Sequence, residues 1–186
     1  MRIFALSDIH VDYDANAQWV GNLSRHEYHD DLLILAGDIT HRLDLLGWCV
    51  SALSVRFKQV LFVPGNHDLW VVGEERAKTS LQKFVDVQAT IEDSGASMGS
   101  FRRNGVHIVP LQSWYDYSFG QPSEDLMGMR SDYRACRWPA DFGPAEAAAH
   151  FAKMNSNLET DGATRVITFS HFLPRIDPDQ PALRRR

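Results

Sequence analysis

Residues 65–68 place an amide, an imidazole and a carboxylate in a row, directly after an apolar run at residues 61–63. Asn66, His67 and Asp68 are costly to place near a core unless something pairs with them. Two interpretations are open at this point. The three side chains could bind a metal ion and a phosphate, or they could stabilise a tight turn through their own hydrogen bonds.

Four apolar runs of the sequence share one design, because each is short, continuous and partly β-branched or aromatic. They cover residues 2–6, 32–36, 60–63 and 165–169. Such runs are typical of strands buried on both faces. The polar residues that follow them are Asp8 and His10, Asp38, Asn66 and His67, and His171. Ligands of open α/β sheets bind outside the carboxyl ends of the strands, so we expect these side chains to converge there.

Spacing and glycines support a metal site at this edge. Strand residues two apart face the same side, so Asp8 and His10 could reach one ion. Gly37 precedes Asp38 and Gly65 precedes Asn66. Each glycine allows the backbone to turn sharply and to approach a ligand closely.

Segments with helical spacing of apolar residues separate the predicted strands. They cover residues 14–23, 45–57, 81–91 and 147–158, and a fifth strand is predicted at 106–111. The third segment has its apolar stripe at Leu81, Phe84, Val85, Gln88 and Ile91. Strand–helix alternation favours βαβ units and a largely parallel sheet in an α/β fold.

Residues 112–144 have little periodicity but contain many aromatic side chains, which argues against disorder. Two interpretations are open: an ordered loop packed over the core, or a wall of the substrate pocket. The last segment, residues 173–186, has three prolines and ends in three arginines, and we predict a flexible tail.

The composition limits the possible functions. The chain has 186 residues, of which 44% are hydrophobic, and a net charge of −5, so one soluble globular domain is expected. Non-specific nucleic-acid binding is disfavoured because it depends on Lys and Arg, but a phosphorylated substrate is compatible if a metal supplies positive charge. Two cysteines and the lack of a long apolar run predict a cytoplasmic protein without membrane contact.

The ordered motifs resemble those of the calcineurin-like metallophosphoesterase superfamily. The matching stretches are "DIH" from Asp8, "GDITH" from Gly37, "GNHD" from Gly65, and "SH" at Ser170–His171. The resemblance spans almost the whole chain. It implies a two-sheet β-sandwich flanked by helices (αββα), which we expect to form one domain over residues 1–172.

The resemblance also implies a role for each matching residue. Two divalent or trivalent ions (Mn, Fe or Zn) would be held by Asp8 and His10 for one metal, Asn66 and His171 for the other, and Asp38 as the bridge. His67 would be the catalytic histidine near the leaving group, and Asp68 would orient it. Mixed imidazole and oxygen ligands suit Mn, Fe or Zn better than Ca.

The implied activity is hydrolysis of a phosphate mono- or diester by in-line attack of a metal-bound hydroxide. The substrate would be a small phosphorylated molecule or a phosphoprotein. No histidine follows His171, so the superfamily's Gly-His-x-His motif is missing. We therefore expect a C-terminally shortened member with an incomplete second sheet, whose unpaired edge could allow self-association. The alternative is a non-catalytic remnant with a partial metal site that acts only through binding.

Overall fold

The computed structural model describes residues 1–117, 120–129, 131–156 and 162–172, which form two three-stranded sheets, six α-helices and a short 3₁₀ helix at His67–Leu69. The strands are β1 (Ile3–Leu6), β2 (Leu32–Leu35), β3 (Gln59–Phe62), β4 (Phe101–Arg103), β5 (Val106–Pro110) and β6 (Arg165–Phe169). The helices are α1 (Asp14–Asn22), α2 (Leu43–Ser54), α3 (Ser80–Asp93), α4 (Glu124–Met129), α5 (Asp132–Ala135) and α6 (Pro144–Met154). The predicted tail at 173–186 lies outside the described residues, and the domain limits stay a prediction.

The first sheet has the order β1-β2-β3 and is parallel throughout. Its central strand β2 is buried on both faces, as its continuous apolar sequence predicts. Leu33 and Leu35 point into the cluster formed with the helices, whereas Leu32 and Ile34 point toward the second sheet. This alternation places β2 in the middle of the molecule.

The second sheet has the order β4-β5-β6 and is mixed, because β4 runs antiparallel to β5 while β6 runs parallel to it. Ile108 of β5 packs against Leu32 and Leu61 of the first sheet. The two-sheet α/β architecture is therefore confirmed, whereas one largely parallel sheet was too simple an interpretation. The sequence analysis also missed β4, a three-residue strand joined to β5 by Asn104 and Gly105, which have left-handed φ angles of 51° and 76°.

Helices α2 and α3 are in contact with each other, and both contribute apolar side chains to the cluster on the outer face of the first sheet. The face of α3 differs from the prediction, because Val85 is 63% exposed while Val87 is fully buried. Lys83 is also buried on this face, and its ammonium group lies 2.6 Å from Glu74 Oε1. A lysine can occupy such a position because the carboxylate pairs with its charge. No helix within the described ranges is both long and apolar enough to cross a membrane.

The described residues of the aromatic segment at 112–144 pack against the rest of the molecule. Trp114 is buried and packs against Leu69, Phe84 and Phe151. Trp138 stands edge-to-face against Trp114, with ring centroids 5.0 Å apart. The predicted packing of this segment over the core is thus confirmed, whereas its description as a loop was wrong, because the segment contains α4 and α5.

We expect Arg56→Ala to lower the free energy of unfolding by about 2–3 kcal/mol. The Arg56 guanidinium is buried and donates to the backbone carbonyls of Gly21 (2.7 Å), Leu23 (2.9 Å) and Ala52 (2.6 Å), so its removal leaves three acceptors without their donor. Chemical denaturation measures the loss. Lys58→Ala, at an exposed position nearby, is the control, and a loss no larger than that of the control would contradict the role of Arg56.

Candidate metal centre

The loops that follow β1 and β2 run side by side beyond the ends of their strands. Backbone N–H groups of Asp8 and His10 donate to the carbonyls of Gly37 (3.0 Å) and Asp38 (3.1 Å). Asp8, His10 and Asp38 all have left-handed φ angles, of 54°, 44° and 56°. Such angles are uncommon for residues other than glycine and concentrate at functional sites. The loops therefore hold these three side chains in directions that a regular strand would not give them.

Gly37 and Gly65 bring the second and third loops into direct contact. A Cβ atom on Gly37 would collide with the backbone of Gly65, and one on Gly65 would collide with the carboxylate of Asp38. Gly37 also has a left-handed φ of 80°. Both positions therefore require glycine for the close approach that the sequence analysis expected.

Asp68 fastens these two loops together. Its carboxylate is fully buried and accepts four backbone N–H groups, with Oδ1 bound by Ile39 (2.9 Å) and Thr40 (3.1 Å) and Oδ2 by Asp38 (2.9 Å) and Gly65 (2.8 Å). These four hydrogen bonds join the backbone of the loop after β2 to that of the loop after β3. The predicted action of Asp68 on the imidazole of His67 stays a prediction.

Two groups of potential metal ligands meet at Asp38. In each group, the ligand atoms all lie within 4.8 Å of one another: His10, Asp38 and His67 in one, and Asp8, Asp38 and His171 in the other. A carboxylate has two oxygens, so Asp38 is suited to contact two ions, as a bridging ligand must. Asp8 and His10 fall in different groups by this distance criterion, and both lie beyond the end of β1 at Leu6. Their predicted binding to the same ion stays a prediction.

Asn66 and His171 add two lone pairs that face each other. The Asn66 side chain donates through Nδ2 to Asp132, which leaves its Oδ1 3.2 Å from His171 Nε2. His171 Nδ1 lies 2.8 Å from the carbonyl of Ala36 and must donate to it, so Nε2 of the neutral ring is an acceptor. Asp38 Oδ1 is a third acceptor, 3.5 Å from the same nitrogen. Three hydrogen-bond acceptors can approach one another this closely only if a proton or a cation lies between them. Oxygen and imidazole nitrogen ligands suit a transition-metal ion.

Burial shifts the pKa values of the central groups. Burial raises the pKa of Asp38, although the nearby His171 opposes the rise. Burial, reinforced by His10, lowers the pKa of His67, which favours the neutral ring. Burial also raises the pKa of Asp68 to about 6, against the effect of its backbone hydrogen bonds. A bound cation would compensate the buried negative charge of the Asp38 carboxylate.

A cavity of about 430 Å³ opens beside these ligands. It is lined by Asn66, His67, Trp70, Ser131, Asp132, His171 and Phe172. Ser131 and Asp132 belong to the aromatic segment, so this segment also forms a wall of the cavity, as the second interpretation proposed. A smaller cavity of about 270 Å³ also has His67 and Trp70 in its lining. A larger depression, about 530 Å³, lies beside Lys78 and Asp86, but these two residues already form an ion pair.

Two residues of this site were not predicted from the sequence, Trp70 and Asp132. Trp70 stacks on His67 with ring centroids 3.7 Å apart, and Asp132 accepts a hydrogen bond from the Trp70 indole at 2.7 Å. The position of Trp70, two residues after the "GNHD" stretch, was an available signal. No pattern in the sequence marks Asp132, because it lies in the segment without periodicity.

We predict that Asp68→Asn lowers the free energy of unfolding by roughly 2–4 kcal/mol, since one acceptor oxygen becomes an NH₂ donor that faces backbone N–H groups. Thermal and chemical denaturation of the purified variant measure this change. Asp93→Asn, at an exposed position of α3, is the matched control. Equal stability of the two variants would show that Asp68 does not fasten the loops.

Comparison with known proteins agrees with this geometry. The curated [acyl-carrier-protein] phosphodiesterase PptH of Mycobacterium tuberculosis is 30% identical in an alignment of length 125 that covers 63% of this chain and 38% of the relative. The chain thus spans well under half the length of that relative.

The crystal structure of the phosphopantetheinyl hydrolase PptH from Mycobacterium tuberculosis superposes with a TM-score of 0.66 at 24% identity, over 92% of this chain and 68% of that one. At this identity the likeness shows the shared fold. The family model described as calcineurin-like phosphoesterase matches residues 1–166. The chain therefore belongs to the calcineurin-like phosphoesterase family.

Proposed function

We propose that this protein is a dinuclear metal-dependent phosphoesterase that hydrolyses a phosphodiester. The observation that carries the proposal is the position of Asp38, whose carboxylate belongs to two ligand groups at once beside a cavity. A shared carboxylate is the arrangement that two neighbouring cations require. Membership of the phosphoesterase family supports the same reaction class.

The residues that would hold the two ions are Asp8, His10, Asp38, Asn66 and His171. Bound ions of Mn, Fe or Zn type would lower the pKa of water and neutralise the negative charge of the phosphate. The chain itself is mildly acidic, with a net charge of −5, so it does not attract a phosphate through its overall charge. The local positive charge of the metal centre would therefore select the substrate.

His67 would act on the leaving group of the substrate. Its backbone N–H donates to Asp38 Oδ1 at 2.9 Å, and its ring is supported by Trp70 on one face and by His10 at its edge. Its Nε2 lies 3.9 Å from Asp38 Oδ2. We propose that the ring takes up a proton once the negatively charged substrate is bound, and that Nε2 passes this proton to the departing oxygen while the ring returns to its neutral form. The same nitrogen also lies within reach of a metal held by His10 and Asp38, and the His67 variant below distinguishes the two roles.

Two observations favour a diester over a monoester. The two cavities share His67 and Trp70 in their linings, so a phosphate placed beside these residues could extend one ester arm into each cavity. The curated relative is a phosphodiesterase by name, acting on acyl-carrier protein. A phosphopantetheinyl diester on a carrier protein is therefore the first natural candidate substrate to test.

The central experiment compares hydrolysis of bis(para-nitrophenyl) phosphate with hydrolysis of para-nitrophenyl phosphate, with added Mn²⁺ or with a chelator. We expect metal-dependent turnover that is faster with the diester. Loss of the phosphopantetheinyl group from a carrier protein, followed by mass spectrometry, tests the natural candidate. Metal binding without turnover of any ester would instead support the non-catalytic alternative.

Asp38→Asn should reduce bound metal well below two equivalents. The substitution preserves size but removes the negative charge that would hold two cations together. Metal content after loading and desalting gives the answer, with Asp141→Asn at an exposed position as the control. Unchanged metal content in Asp38→Asn would exclude the bridging role.

His67→Ala should lower turnover by about 10²–10⁴-fold and largely preserve metal content, because general acid catalysis contributes on this scale. The loss should shrink with substrates whose leaving groups need little protonation. Steady-state kinetics and metal analysis are run on the same preparation, with the exposed His26→Ala as the control. If the variant loses metal, His67 is a ligand and its proposed catalytic role is wrong.

A further inference from the structure

Asp132 is a buried carboxylate at the start of α5, 6% exposed, in the aromatic segment far from the metal-binding motifs in sequence. One of its oxygens, Oδ1, accepts two hydrogen bonds. The donors are Nδ2 of Asn66 at 2.9 Å and the indole nitrogen of Trp70 at 2.7 Å. Both donors lie after β3 in the chain. One oxygen atom of Asp132 therefore contacts both the predicted metal ligand Asn66 and the Trp70 ring that stacks on His67.

The bond to Asn66 decides which way the amide points. A carboxylate only accepts hydrogen bonds, so it must face the NH₂ group of Asn66. The amide oxygen is thereby turned to the opposite side, where it lies 3.2 Å from His171 Nε2. Without Asp132, the amide could rotate and present its NH₂ group to the metal position, where a donor cannot act as a ligand.

The bond to Trp70 decides the position of the indole ring. This ring stacks on His67 at 3.7 Å between centroids, with an angle of 28° between the planes. The backbone around Asp132 is itself anchored to the same region, because Val71 N–H donates to Ala135 (2.8 Å) and Ser80 N–H donates to Arg137 (2.7 Å). These hydrogen bonds fix the backbone near Asp132, so its carboxylate can hold the side chains of Asn66 and Trp70 in place.

We propose that Asp132 is the positioning residue that turns the Asn66 oxygen toward the metal and seats Trp70 against His67. This inference rests on the proposed dinuclear centre and adds to it a residue outside all of its motifs. Loss of a group that orients a metal ligand typically weakens metal affinity or activity by ~10–100-fold. Because Asp132 acts through Asn66, its removal should weaken one of the two metal sites and leave the other unchanged.

The test titrates the metal-free protein with Mn²⁺ and counts the free ion by its electron paramagnetic resonance signal. Asp132→Ala should weaken one site by ~10–100-fold. Asp132→Asn should bind nearly as wild type, because its amide oxygen has two lone pairs and can accept both hydrogen bonds. Asp141→Ala, an exposed position in the same segment, is the matched control.

A double-mutant cycle separates positioning from general stabilisation. In the Asn66→Ala background there is no amide to orient, so Asp132→Ala should have almost no further effect on Mn²⁺ affinity. An equally large loss from Asp132→Ala with and without Asn66, or no loss at all, would overturn the inference.

A measurement on the wild-type protein keeps the inference testable if Asp132→Ala does not fold. The side-chain NH₂ of Asn66 should exchange with deuterium much more slowly than that of Asn104, which is exposed. Equally fast exchange would overturn the inference. A wild-type protein that binds no Mn²⁺ would overturn the proposed function together with this inference. Two Mn²⁺ sites that are insensitive to Asp132→Ala would overturn the inference alone.

Discussion

The buried carboxylate of Asp68 accepts backbone N–H groups from both sides of a junction, three from the loop after β2 and one from the loop after β3. An ionised group in this position is stable only because these donors replace the water it has lost. The junction carries Asp38 on one side and Asn66 and His67 on the other. The distances between these three side chains therefore depend on a group that contributes no atom to the proposed ligand sets.

The centre concentrates acceptors rather than donors. Two carboxylates, an amide oxygen and three imidazoles approach one another at Asp38, and three of the residues have left-handed backbones. Neither arrangement favours the fold by itself. The packed clusters on both faces of the first sheet supply the stability that holds them together. A site of this kind is assembled for a cation, because a cation turns the mutual repulsion of the acceptors into shared coordination.

The sequence predicted those parts of the structure that depend on local pattern. Strand β2 is a continuous apolar run and was assigned correctly, since burial on both faces leaves no room for alternation. The face of α3 was placed wrongly at Val85 because the prediction could not know that Glu74 would neutralise Lys83 in the interior. Strand β4 was missed because three residues carry too short a pattern, although the Asn104–Gly105 pair was a usable turn signal.

The same distinction applies to the metal centre. The motif residues could be named from sequence because each follows a recognisable strand. The left-handed backbone angles of Asp8 and His10 could not be predicted, since both residues lie beyond the end of β1, where strand geometry no longer fixes the side-chain directions. Asp132 was beyond sequence reasoning, because 66 positions separate it from Asn66 and only the tertiary fold brings them together.

The contact between Gly37 and Gly65 has a consequence for how mutational tolerance is interpreted. Any side chain at either position would separate the two loops, because it would meet the backbone or carboxylate of the opposite loop. A saturation scan scored by activity would therefore rank both glycines with the metal ligands, although neither offers a side-chain atom to an ion or a substrate. Intolerance at these positions reports the spacing of the loops, and separating it from direct participation in chemistry requires metal occupancy as a second score.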